Sequence, residues 1–179
     1  EFVLGMDFSG NPTKRGFRDF LPAFEEARAL GLKISAHVAE IEDEKDTDDI
    51  LDFRPDRLGH AIGLNEAQAE RLLARPIPVE ICPTSNCMCL GKEYDGHPTL
   101  PRWLEEDRFP FNINTDDTGV FGTSLSQELY HVACAFGVDR RRLADLSLSA
   151  LNYVFDDDET AMAEIRDSME RTVSRLLNE

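Results

Sequence analysis

The constraint that most narrows what this chain can fold into is an alternation of short apolar runs with amphipathic ones. "FVLGMDF", "LKISAHV", "RLGHAIG", "IPVEIC" and "PFNINTD" are short and rich in β-formers, and turn residues bound them, so about five strands are expected. Between the first two, Phe20, Phe24 and Ala27 recur at helical spacing within a stretch from Phe17 to Leu30, and Gly31 follows as a stop. Asn65 and Gln68 form a capping-box-like start to a helix that carries Ala69, Leu72 and Leu73. A strand, a loop and a helix repeated in that order imply parallel strands, hence an α/β fold. Further helices are expected near Ser124 to Phe136, Arg140 to Leu151 and Glu159 to Leu177. With no internal repeat or low-complexity linker, residues 1–179 read as one domain.

Parallel α/β proteins gather their binding and catalytic groups at the C-terminal ends of the strands. There the sequence places Asp7 and the "SGNP" turn with Gly10, then His37 and Glu40, then His60, then Cys82 with "TSN", and finally Asp116 and Asp117. A double Asp at the end of a buried strand can be a helix N-cap, because Asp favours that position and the helix dipole rewards it. A lone histidine in a strand is usually a satisfied core residue. Two histidines at successive strand ends, with a Glu three residues after one of them and the double Asp on another strand, put several titratable groups on one rim. Burying them costs several kcal/mol unless a metal or ligand compensates, so a site is the simpler reading. His97, ahead of Pro98, and His131, on a helix, are assigned no chemistry.

Composition limits the partners. A formal charge of −16 and a pI near 4.6, with no Lys/Arg-rich run, argue against nucleic acid or an anionic membrane. A basic pocket for one small anion stays open; Lys14, after "SGNPT", could meet a phosphate but reads first as an exposed lysine. No apolar run is long enough to span a membrane. Cys82, Cys87, Cys89 and Cys134 match no disulfide scaffold or zinc-ribbon spacing, so free, buried or half-buried thiols in the cytosol are expected. The acidic run "EDEKDTDD" reads as a solvated loop and helix start without a role. The chain opens on Glu1, inside an apolar strand, and so looks truncated at its N-terminus.

Imidazole and carboxylate together suit Zn²⁺, and a catalytic zinc activates water. His37 and Asp116 are the candidate ligands. Glu40 is then free as general acid or base, His60 can orient or deprotonate the water, and Asp117 can accept a hydrogen bond from substrate. Neither H-E-x-x-H nor the H-x-E with P-C-x-x-C of cytidine-type deaminases is present.

The ordered set "GMDFSGNP", "AHVAEIE", "PDRLGHA", "CPTSN" and "NTDDTGVF" resembles the adenosine deaminase family, zinc aminohydrolases built on a (β/α)₈ barrel of TIM type. "SGNPTK", "GVFGTSLSQE" and "DLSLSALNYVF" are most similar to its N6-methyl-AMP deaminase branch. The resemblance implies His37 and Asp116 as zinc ligands, Glu40 as proton donor to purine N1 and His60 as the catalytic histidine. It also implies that Gly10 offers its amide to the purine and that Asp117 bonds N7. The implied reaction is hydrolytic deamination at purine C6 of adenosine, AMP or N6-methyl-AMP, with ammonia or methylamine leaving, in a cytoplasmic enzyme.

One departure stands out: the family's His-x-His strand has no counterpart here, and the motifs correspond to the last five strands of the barrel. The expectation is therefore that this chain alone binds zinc poorly and turns over little. An inactive remnant that pairs its open strand edge with a partner chain, and another amidohydrolase-like barrel acting on a different ring, stay open as alternatives.

Overall fold

The computed structural model describes residues 3–106 and 109–178. Five strands, β1 (Gly5–Phe8), β2 (Lys33–Val38), β3 (Arg57–His60), β4 (Val79–Ile81) and β5 (Phe111–Ile113), form one sheet in chain order. The pairings are parallel, with Asp7 opposite Ser35, His37 opposite Gly59, and Gly59 opposite Glu80. Each expected strand is present within its predicted run; the first was expected from Phe2, which lies outside the described residues.

Side chains alternate across this sheet as a period of two requires. On β2, Ile34, Ala36 and Val38 are buried, as are Leu58 on β3 and Val79 and Ile81 on β4. Helices α1 (Leu21–Ala29), α2 (Glu44–Phe53), α3 (Glu66–Ala74) and α5 (Leu100–Glu105) add Phe24, Ala27, Ile50, Leu51, Leu72, Leu100 and Trp103 to the buried set. Phe17 stacks on Phe24 with centroids 5.3 Å apart and meets Phe8 edge-on at 5.2 Å. The other face of the strands carries the polar residues Asp7, His37 and Glu80.

The stretch expected as one helix from Phe17 to Leu30 is instead a 3₁₀ turn, Phe17–Asp19, followed by α1. Pro22 explains the break: a helix running through it would drive its ring into the carbonyl of Arg18, whereas the first turn of a new helix accepts it. The Asn65–Gln68 capping box forms as expected, with Gln68 N–H donating to Asn65 Oδ1 at 2.9 Å.

The acidic run has more of a role than the sequence suggested. Asp43 caps α2, Asp46 accepts the Phe17 N–H at 2.6 Å, and Asp49 pairs with Arg18 at 2.7 Å.

The chain divides into two compact units, Glu1–Ile81 with Pro98–Phe111, and Cys82–His97 with Asn112–Glu179. The second holds α4 (Pro83–Leu90), α6 (Thr118–Phe121), α7 (Leu125–Phe136), α8 (Arg140–Ser149) and α9 (Glu159–Asn178). The last three match the predicted C-terminal helices. Cys82 and Cys87 are buried, but Cys89 and Cys134 are exposed, against expectation. On α7 the inward residues are Glu128 and Val132, and Cys134, two positions on, points about 200° away. Among the described residues, no helix is long and apolar enough to cross a membrane.

Candidate active site

The first unit brings His37, Glu40 and His60 together. One ligand-type atom from each lies within 4.8 Å of the others. His37 is the fifth residue of β2, and Glu40 follows a backbone turn at Ala39 with φ of 52°. His60 ends β3 with φ of 64°, and Ala61 follows at 52°. Such left-handed residues without a glycine cost about 1–3 kcal/mol each and persist only where the surroundings fix them. Here Ala61 N–H donates to the carbonyls of Val38 and Gly59, and Gly63 N–H to that of Ala39 at 2.7 Å.

The His37 ring meets His60 edge-on at 4.7 Å. Its Nδ1 is 3.2 Å from Glu40 Oε1, and its Nε2 is 3.6 Å from Asp7 Oδ2. Burial acts most strongly on its pKa and lowers it, but hydrogen bonds and charge from Asp7 and Glu40 outweigh that and raise it to about 10. Two carboxylates thus place negative potential on the imidazole, where a cation can take the place of the proton. Two imidazoles and a carboxylate within 4.8 Å fit a borderline ion such as zinc.

Gly10 lines the same cavity as His37 and Glu40, with φ of 123°, which requires a glycine. Asp7 stands at a strand end with no role legible in the sequence, yet its carboxylate flanks His37.

Asp116 and Asp117 belong to the second unit. Asp116 is half-buried, has φ of 57°, and accepts the Ser85 hydroxyl at 2.7 Å. Asp117 is exposed rather than buried; it occupies the N-cap position of α6 without a side-chain capping bond. The "CPTSN" segment opens α4, with Pro83 in its first turn.

Behind that turn stands Glu128, fully buried, accepting from the Thr84 N–H at 2.9 Å and from the hydroxyls of Thr84 and Thr123. Nothing in the sequence distinguished Glu128 from a solvated helix carboxylate. His97 is buried with Nε2 3.1 Å from Asn86 Oδ1, and His131 stacks on Tyr94 at 4.3 Å.

Parallel strands with intervening helices, and polar side chains gathered at the strand ends, are the arrangement of a parallel α/β enzyme fold. The adenosine deaminase family model matches residues 1–172, and the chain belongs to that family. The Homo sapiens N6-methyl-AMP deaminase is 38% identical over 184 residues, covering 98% of this chain and 51% of the relative. The apo structure of the N6-methyl-AMP deaminase from Arabidopsis thaliana superposes with a TM-score of 0.84 at 32% identity, over 97% of this chain and 50% of that one. An Arabidopsis ADAL structure complexed with IMP gives 0.84 at 31%, over 97% and 49%. The chain spans about half the length of the curated relatives it matches.

Proposed function

We propose that this chain carries acid–base and metal-holding residues of a zinc-dependent aminohydrolase acting at purine C6 of adenosine-type nucleosides or nucleotides. N6-methyl-AMP is the proposed substrate, with IMP and methylamine as products. The observation that carries the reading is the convergence of His37, Glu40 and His60 at the ends of β2 and β3. Similarity to the human N6-methyl-AMP deaminase and to an Arabidopsis structure complexed with IMP supports the substrate class.

In this reading His37 and Asp116 would hold the metal, which when bound acts as a Lewis acid that makes water a stronger nucleophile. Glu40, half-buried, delivers a proton to purine N1 so that C6 accepts the oxygen of water. His60, buried and set by its left-handed backbone, orients that water and takes up its proton. The C6–N6 bond then breaks: the amine leaves with the proton His60 took up, and the proton left on the oxygen returns to Glu40 as the C6 carbonyl forms. Gly10 offers its backbone N–H to the purine, and Asp117 meets the ring at the N7 acceptor. Ser85 holds Asp116 from behind with its 2.7 Å hydrogen bond.

The test is ultraviolet turnover of N6-methyl-AMP, AMP and adenosine by the 179-residue chain with added Zn²⁺, alongside calorimetric binding of IMP. Glu40→Gln should lower turnover by about 10²–10⁴-fold while IMP still binds. Equal turnover by Glu40→Gln would remove the proton-donor role. The absence of both turnover and saturable IMP binding would overturn the proposal for this chain.

A further inference from the structure

Glu128 is a fully buried carboxylate of the second unit, and the groups that bond to it among the described residues are all neutral. A buried charge without a cation is destabilising, and an apolar side chain would pack α7 against α4 without that penalty. What the carboxylate does instead is join two segments. Its Oε2 accepts the Thr84 N–H at 2.9 Å, and its Oε1 accepts the hydroxyls of Thr84, at 2.5 Å, and of Thr123. The Thr84 hydroxyl, having given its hydrogen to Glu128, accepts the Tyr94 hydroxyl at 2.9 Å.

Thr84 is the second residue of α4, so its N–H is one of the donors that a helix start leaves without a partner. The N-cap residue, Cys82, makes no side-chain cap bond, and Glu128 supplies the acceptor from 44 residues away. The next residue is Ser85, buried, whose hydroxyl donates to Asp116 Oδ2 at 2.7 Å. The stretch from Asp116 to Glu128 is therefore tied at both ends to adjacent residues of one helix turn: Asp116 to Ser85, and Glu128, with Thr123, to Thr84. Between the ties lie Asp117 and α6. Asp116 has φ of 57°, which its surroundings must hold, and its Oδ1 accepts the Asp117 N–H at 3.0 Å. A shift of Ser85 would thus reach both aspartates.

Resting on the reading in which Asp116 would hold the metal, we infer that Glu128 is a positioning residue for it. Glu128 fixes the first turn of α4 through Thr84, Ser85 then aims the Asp116 carboxylate, and the loop carrying Asp117 keeps its place. Glu128 itself touches neither metal nor substrate in this scheme.

The experiment compares the 179-residue chain with Glu128→Gln, Ser85→Ala and the double variant, well below each Tm. It reads Zn²⁺ affinity by chelator competition, and the Asp116 and Asp117 amide resonances by NMR without zinc. Glu128→Gln puts an NH₂ group, which donates and does not accept, in place of one carboxylate oxygen. The expected result is affinity about 10–100-fold weaker in Glu128→Gln, a loss that shrinks below about threefold when Ser85→Ala is already present, with both amides displaced. A clamp that only stabilises would lower Tm and leave the affinity and both amides unmoved, which would overturn the positioning role. The same loss of affinity with and without Ser85 would overturn it too. Should Glu128→Gln not fold, Thr123→Val removes one tie at nearly the same shape; the two amides should again move, and unmoved amides overturn the role. If the unsubstituted chain takes up no zinc, the metal role of Asp116 fails separately: displaced amides then still support the tie, and unmoved ones overturn it.

Discussion

Gly59→Ala is a sharp test of how β3 sets the imidazole of His37. Gly59 lies opposite His37 in the parallel register, and a methyl group added there would meet His37 Cδ2 at 2.7 Å and its Cα and Cγ at 3.2 Å. Carbon atoms rest about 3.5–4.0 Å apart at optimal separation. Turning the ring alone does not relieve the overlap, because one of the atoms met is backbone. Overpacking of this kind costs about 1–3 kcal/mol, offset by about 0.4–1 kcal/mol from the stiffer unfolded chain. At about 2–4 °C per kcal/mol for a chain of this size, a net loss near 1.5 kcal/mol lowers Tm by about 3–6 °C. Calorimetric melting reads that shift, and imidazole NMR reads the displacement of His37. Gly119→Ala, in α6 with open space around it, serves as the control and should leave Tm unchanged or raise it slightly. An unshifted Tm together with unmoved His37 resonances in Gly59→Ala would refute the reasoning.

Four further outcomes are expected. Glu128→Ala strands the Thr84 N–H and the Thr84 and Thr123 hydroxyls, so the denaturation midpoint should fall by the equivalent of about 3–5 kcal/mol; a loss under about 1 kcal/mol would contradict the buried clamp. Ser85→Ala removes the 2.7 Å bond to Asp116 and should weaken zinc binding about 10–100-fold in chelator competition, while Tm changes little; equal affinity would release Ser85 from that role. Glu80 has its pKa raised, chiefly by burial and in part by Asp7, against the pull of Arg57, the Ser35 hydroxyl and His37. The folded state therefore keeps the Glu80 proton where the unfolded chain has lost it, and stability falls as pH rises from the ordinary carboxylate value to the raised one. Glu80→Gln should abolish that slope in urea melts taken across the window; an identical slope in both proteins would reject it. Asn65→Ala should cost about 1 kcal/mol through loss of the α3 cap, read as a lower midpoint in urea.

Much of the fold was legible because period and punctuation are local signals. The β-rich runs, the Asn65 box and the three C-terminal helices all declare themselves within a dozen residues, and the structure follows them. The roles of Asp46 and Glu128 were not legible because they depend on partners distant in sequence. The Phe17 turn takes its N–H acceptor from Asp46, 29 residues on, and Glu128 meets Thr84 across 44. Asp117 follows an apolar strand yet ends exposed, because β5 stops at Ile113 and the chain has already turned at Asp116 before reaching it.

The same distinction accounts for what the sequence could say of the site. His37, Glu40 and His60 were legible as strand-end residues, but their convergence depends on backbone that no residue type announces. Ala39, His60, Ala61 and Asp116 all adopt positive φ, though none is a glycine and the two alanines have no side chain that favours it. A stretch such as "HAIG" thus reads as continuing strand, while in the structure the ladder ends at His60 and the chain turns through Ala61. That turn explains why His60 lies beside the imidazole of His37 although its residue pairs with Val38 in the register. Without the turn, the alternation of an extended strand would send the His60 side chain to the face opposite His37. The strain is therefore part of how the cluster is assembled, and it is held by the neighbouring strand's carbonyls rather than by any local preference of the residues that bear it.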